Sequence, residues 1–285
     1  MFGADLAARI RTVQQLGDLT QAMRQLAAAR QRQAAENFAG LERYAAATLS
    51  ALQRGLALLS KQQSAPKKSG TSQRLLVVCL SEHGFVGALN ETLVSKVVHV
   101  MAEAPSQLFV LGKRGLRHVE ERGLSAHETA SMPTTLGSVS RTASDLVERL
   151  FDRVSSGEVA EIEVVFARLR GSVSYEPICQ RLFPPHVLPA AYDGEPPLHT
   201  LPAEKLTARL LEEYVFAQVT WMIASAFACE QAARFSAMDA SHRNLQEQLG
   251  ELRQQERAER QDSITSEILE VATASSLLAE SHHDK

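Results

Sequence analysis

At 285 residues the chain can bury an ordinary domain core and still leave a large remainder, so two or three segments are expected. Aromatic residues make up only 5% while Ala and Leu are abundant, which favours helices packed on helices over aromatic-rich β structure. The net charge of −3 excludes the global basic field of a nucleic-acid binder, and three cysteines, Cys79, Cys179 and Cys229, fit neither a disulfide framework nor a zinc site.

The first segment, residues 1–66, repeats apolar residues at Leu6, Ile10, Val13, Leu16, Leu19, Met23 and Leu26. The pattern resumes at Ala34 and runs through Phe38, Leu41, Ala45, Leu49, Leu52, Leu56 and Leu59. Steps of three and four are those of a coiled-coil seam. All ten prolines lie between Pro66 and Pro202, so nothing interrupts this helix. Its length is about 85 Å at 1.5 Å per residue. The Ala-rich band of Ala27, Ala28, Ala29, Ala34 and Ala35 marks a place where helices can approach closely, or helix propensity alone.

The second segment, residues 67–203, follows the polar linker 64–73 and reads differently. LLVVCLS (75–81) is a continuous apolar run suited to a buried parallel strand. After the turn EHGFVGALN come an amphipathic stretch through Met101, a strand at 107–112 and helices at 113–122 and 138–154. A strand at 160–169 and an extended stretch at 175–182 follow. Strands alternating with helices imply a Rossmann-like α/β domain with a parallel sheet. The Pro-rich stretch 183–202 is expected to be an irregular connection.

The third segment, residues 204–285, carries Leu206, Leu210, Tyr214, Val219, Met222, Ile223 and Phe227. Further along come Leu245, Leu249, Leu252, Ile264, Ile268 and Val271. It reads as a second helix of about 115 Å. Residues 1–68 hold ten Lys/Arg against four Asp/Glu, and residues 203–285 hold eight against fourteen, so the two ends attract. The expected architecture is an antiparallel coiled coil of the terminal helices beside the α/β domain, the longer helix extending past its partner.

Candidate chemistry is thin. Gly84-Phe85-Val86-Gly87 lacks the third glycine of GxGxxG and has no GK[ST], so it reads as a strand-to-helix turn before it reads as a nucleotide loop. Glu82 and His83 could act as an acid/base pair but are ordinary loop residues as well. The nine histidines are scattered, and no metal or cofactor is expected. The mixed-sign run Arg253, Glu256, Arg257, Glu259, Arg260 and Asp262 is a solvated face or a partner contact. No apolar run reaches the length of a membrane span and no signal pattern opens the chain, so a soluble, cytoplasmic protein without direct membrane insertion is expected.

Three separated segments resemble the gamma subunit of F-type ATP synthases. IRTVQQLGDLTQAMRQLAAARQRQA (10–34) is similar to the family's I-x-S-V-x-N-T-x-K-I-T-K-A-M-x-M-V-A-A-x-K, with Arg30 at the final lysine. SEHGFVGALN is similar to D-R-G-L-C-G-x-L-N, keeping Gly84, Gly87, Leu89 and Asn90 as the structural turn. CEQAARFSAMDASHRN (229–244) and RQDSITSEILEV (260–271) carry the family's C-terminal patterns, the last matching R-Q-A-x-I-T-x-E-L-x-E-I. Glu82, His83, Phe85, Val86, Gly17, Asp18 and Gln21 depart from the family, as in a divergent or alternative-ATPase paralogue.

The resemblance implies a central rotor shaft that couples ion flow through the membrane c-ring to ATP synthesis or hydrolysis in the alpha and beta subunits. It implies an epsilon partner, no catalysis by this chain, and a peripheral place on the cytoplasmic face of a bacterial inner membrane. It assigns Met23 to a beta-subunit lever, and Arg260, Gln261 and Thr265 to a beta-subunit catch loop. Two other readings are open from the residues: a coiled-coil adaptor without a role in ATP turnover, and a small α/β enzyme with helical dimerisation arms.

Overall fold

The computed structural model describes residues 2–59, 73–171, 174–187, 189 and 198–281, with side chains given for all of these except 2–4 and 273–281. The linker 64–73, apart from Gln73, and residues 188 and 190–197 of the Pro-rich stretch lie outside the described residues. Two helices dominate: α1 spans Phe2–Leu59 and α5 spans Ala203–Ser281. Between them come β1 (Gln73–Cys79), α2 (Leu89–Glu103), β2 (Ser106–Leu111), α3 (Lys113–Glu121), β3 (Glu128–Ala130), α4 (Val139–Ser155), β4 (Val159–Arg170) and β5 (Ser174–Phe183). The chain forms two compact units, one of Met1–Arg24 with Met238–Lys285 and one of Gln25–Ala237.

The larger unit holds a five-stranded sheet in the order β3-β2-β1-β4-β5. β1 pairs in parallel with β2 and β4, and β2 with β3. β5 pairs antiparallel with β4, because the few residues between Arg170 and Ser174 allow a hairpin and no crossover. The sheet is therefore parallel with one antiparallel edge. β3, three residues long, has no counterpart in the sequence pattern.

From Leu75 to Cys79 β1 is apolar because both sheet faces are covered. Leu75, Val77 and Cys79 enter one core with α4 and with Val215, Val219, Met222 and Ile223 of α5. Leu76, Val78 and Leu80 enter the other, with Leu93, Val94 and Val97 of α2 and with Cys229 and Ala233 of α5. So α5 serves one face of the sheet up to Ala226 and the other from Cys229, and Ser225 Oγ donates to the Ala167 carbonyl at 3.0 Å between them. α1 joins this unit antiparallel to α5. Ala34 packs on Phe227 and Ala228, Phe38 stacks at 6.1 Å on Trp221, and Thr207 Oγ1 donates to Gly55 O at 3.0 Å.

The smaller unit is a two-helix antiparallel coil. Leu6, Ile10 and Val13 pack on Leu249 and Leu252. Here the seam differs from expectation: Leu16 and Leu19 are exposed, and Gly17 is the buried position. A strict seven-residue step from Ile10 reaches Gly17, from which Leu16 sits one residue away and Leu19 two. In the larger unit Leu26 is likewise exposed while Ala27 and Ala34 are buried. Ile264, Ile268 and Val271 are exposed, as is every side chain described from Arg253 to Ala272.

Two glycines should respond to alanine with opposite signs. A Cβ on Gly115 would lie 2.1 Å from Leu80 Cβ, whereas one on Gly40, inside α1, meets nothing within 4 Å. Gly115→Ala is expected to cost about 1–3 kcal/mol through overpacking. Gly40→Ala should add up to about 1 kcal/mol from helix propensity. Urea titration followed by the fluorescence of Trp221, the only tryptophan, measures both.

Candidate functional site

In an open α/β sheet the ligand crevice lies at the carboxyl ends of the strands where the strand order reverses. Here that point is the end of β1 beside β4, followed by the loop Leu80–Ala88. At its start the loop has its polar groups engaged. Ser81 N donates to Asn90 Oδ1 at 3.0 Å, and Asn90 Nδ2 donates to Ser81 Oγ at 2.7 Å, which pins the start of α2 beneath the turn. Glu82 Oε2 accepts from Met132 N at 2.9 Å and Lys113 N at 3.2 Å.

The crevice is filled from α5. Glu230, Gln231 and Arg234 are buried polar residues in an otherwise apolar stretch of that helix. Arg234 donates to Glu230 Oε1 at 2.6 Å, to Gln231 Oε1 at 3.2 Å, to His83 O at 3.4 Å and to Gly84 O at 3.3 Å. Glu230 Oε2 in turn accepts from Glu82 N at 3.3 Å. The loop thus shows carbonyl oxygens to a guanidinium, and the N–H of Glu82 is taken by a carboxylate. A phosphate cradle needs the reverse, free N–H groups turned toward an anion.

Of the turn residues, Gly87 adopts φ 54° and Phe85, a non-glycine, adopts φ 62°; Gly84 does not enter this region. Phe85 stands outward, 66% exposed, beside the clamp. In the sequence CEQAAR (229–234) reads only as part of a family pattern. A Glu and an Arg four apart on the buried side of an apolar helix could have marked an internal ion pair.

The other sequence-assigned residues fall elsewhere. Met23 on α1 is half-buried in the smaller unit, and Arg30 is half-buried in the larger one. Arg260, Gln261 and Thr265 are exposed on α5, where Thr265 Oγ1 donates back to Gln261 O at 2.8 Å. At 100° per residue Ile264, Ile268 and Val271 form one face, bordered by Arg260 and Gln261. Among the described residues no group of three or more His, Cys, Asp or Glu could hold a metal ion, and no helix is long and apolar enough to cross a membrane.

The family model described as ATP synthase matches residues 3–278. The ATP synthase gamma chain of Cereibacter sphaeroides (strain ATCC 17025 / ATH 2.4.3) is 31% identical over 293 residues, covering 96% of this chain and 98% of that protein. The chain belongs to the ATP synthase gamma-chain family. A gamma chain of Geotalea daltonii is 26% identical, with 92% and 94% covered. The fold is also that of gamma-chain-like solved structures: the Euglena gracilis mitochondrial ATP synthase rotor (TM-score 0.61, 14% identity, 92% of this chain and 99% of that one) and the Tetrahymena thermophila central stalk/c-ring (TM-score 0.56, 17% identity, 78% and 98%). In this gamma-chain family member the crevice of the sheet is therefore closed by the chain's own helix.

Arg234 and Glu230 are 8% and 4% exposed at their side chains. Arg234→Ala is expected to cost about 3–5 kcal/mol because Glu230 is left buried and unpaired. The double change Arg234→Met/Glu230→Leu should cost much less, and urea titration separates the two. Burial pushes the thiols of Cys79 and Cys229 up to about 12 and that of Cys179 up to about 11. All three are expected to alkylate slowly with iodoacetamide at pH 8 and quickly in denaturant, since the thiolate is the reactive form. Mass spectrometry counts the adducts.

Proposed function

We propose that this chain is the central rotor subunit of a rotary ATP synthase and itself catalyses nothing. It transmits torque between a membrane c-ring and an alpha/beta catalytic head, with epsilon as a further partner. Family membership supports the setting. One observation in the chain carries the mechanical reading: a long helix whose apolar face is exposed among the described residues. Ile264, Ile268 and Val271 are 49%, 63% and 70% exposed, and Leu16 and Leu19 on α1 are 45% and 56% exposed. Exposed apolar faces of this kind mark surfaces that another protein covers.

In this reading the paired helix ends run within the alpha/beta ring, and the apolar face of α5 bears on the ring's inner wall. Arg260, Gln261 and Thr265 border that face and engage a catch loop of a beta subunit, while Met23 meets a beta lever. Arg30 lies at the same family interface. The sheet unit meets epsilon and the c-ring, which makes the chain a peripheral part of the membrane complex, on the cytoplasmic face in a bacterium. Ion transport belongs to the c-ring and nucleotide chemistry to the beta subunits. A stiff asymmetric shaft makes three equivalent sites unequal, which is a coupling between distant sites.

The test is co-expression with the alpha and beta subunits of the same genome. A complex with one copy of this chain is expected, and its steady ATP turnover should require the chain. Ile268→Glu, which should leave the fold intact because the position is exposed, is expected to lower turnover at least tenfold. The pair Gln261→Ala/Thr265→Ala should lower it several-fold. Indifference of alpha and beta to the chain would leave the adaptor reading in its place. Unchanged turnover in the Gln261/Thr265 variant would remove the catch assignment alone.

A further inference from the structure

Gly17, Gly40 and Gly55 sit in the interior of α1, and they differ in what surrounds them. A Cβ on Gly55 would stand 3.0 Å from Leu210 and 3.1 Å from Thr207, so the close approach of α5 requires that glycine. Gly40 is exposed. Gly17 is buried on the line of the coil, yet a Cβ there would meet only Gln246 Nε2, at 4.0 Å. His242 Nδ1 lies 3.2 Å from the Gly17 carbonyl, but no atom of His242 comes within 4 Å of the Cβ position. Glycine favours a helix less than any residue except proline, and a seam position ordinarily holds a large apolar side chain. Packing within the chain does not call for a glycine here.

What the missing side chain leaves is a groove. In the unit of Met1–Arg24 and Met238–Lys285, α1 and α5 border an open cavity of about 530 Å³ with Gly17 in its wall. Its polar lining is Arg11, Gln14, Gln15, Asp18, Gln246 and Arg253. The two helices run antiparallel, with Leu249 beside Ile10 and Val13. Arg253, one turn beyond Leu249, is therefore level with Arg11 at one end of the groove, and Asp18, two turns after Arg11, is at the other. All three charged side chains are exposed, and among the described residues none of them has an ion-pair partner. Arg11 Nε donates only to the Ala7 carbonyl of its own helix, at 3.3 Å.

We propose that this groove receives an acidic side chain from the inner wall of the alpha/beta ring, its stem lying over Gly17 and its carboxylate held by Arg11 and Arg253. The proposal rests on the rotor reading, in which a ring surrounds these helices on all sides. Gly17 supplies the room by having no side chain. The two guanidiniums supply charge-assisted hydrogen bonds, which orient a carboxylate as well as attract it. Asp18 repels an acidic group that enters at the wrong end, so it adds direction to the contact.

The test compares the chain alone with the chain assembled with alpha and beta. Gly17→Leu is expected to raise the thermal midpoint of the chain alone by a few degrees, read by circular dichroism, because it restores helix propensity and fills the seam. In the complex the same change should lower steady ATP turnover several-fold. A residue with a merely structural role would not move stability and turnover in opposite directions. Arg11→Gln/Arg253→Gln, at exposed positions, should lower turnover to a similar extent, and adding Gly17→Leu to that pair should lower it little further, as coupled residues do. A lowered thermal midpoint in Gly17→Leu would make Gly17 a packing residue and overturn the proposal. Full turnover in Gly17→Leu or in the arginine pair also overturns it and leaves the rotor reading standing. Failure of alpha and beta to bind the unaltered chain removes the rotor reading and the occupant of the groove with it.

Discussion

Charge taken out of water has to be met on all sides, and in this chain that requirement ties the sheet to a helix distant in sequence. The Arg234 guanidinium is spread over Glu230, Gln231 and the carbonyls of the loop after β1, and Glu230 returns an oxygen to the N–H of Glu82. Each of these groups would be costly if left alone in the interior. Together they hold the loop in one conformation, with Phe85 at φ 62° turned outward. The same stretch of α5 sends Met222 and Ile223 to one core and Cys229 and Ala233 to the other, so the helix is part of the sheet's packing on both sides.

That arrangement separates this sheet from the nucleotide-binding doubly wound domains. Fold alone does not give function, and the difference lies in what fills the switch point. A nucleotide-binding relative leaves it open and lined with N–H donors, whereas here carbonyl oxygens and a buried ion pair occupy it. The chain's unused surface lies instead on the helices, as apolar stripes facing solvent. An enzyme concentrates its uncommon features in a cleft; a shaft concentrates them on its outside.

The sequence made the architecture legible because proline is absent from both ends and because β1 is apolar on both faces. The antiparallel edge β5 could be read only as an extended stretch, and β3 is too short to leave a periodic signal. The seam was misread between Leu16 and Leu26 for a physical reason. Apolar periodicity marks which face of a helix is greasy, not which face meets its partner, and in this stretch the two differ: Gly17 and Ala27 are buried while Leu16, Leu19 and Leu26 are exposed. Small residues permit close approach without announcing themselves in a hydrophobic pattern. The clamp was missed because polar residues on a long helix look solvated until the sheet that buries them is known.

Rotation of this chain within the complex can be watched directly. With the alpha/beta ring fixed to a surface and a probe attached through His99→Cys, an exposed position of α2, ATP should drive unidirectional turning of the probe in three-fold steps. Steady ATP hydrolysis by the same immobilised complexes with a stationary probe would contradict a rotor and leave this chain as a static scaffold of the assembly.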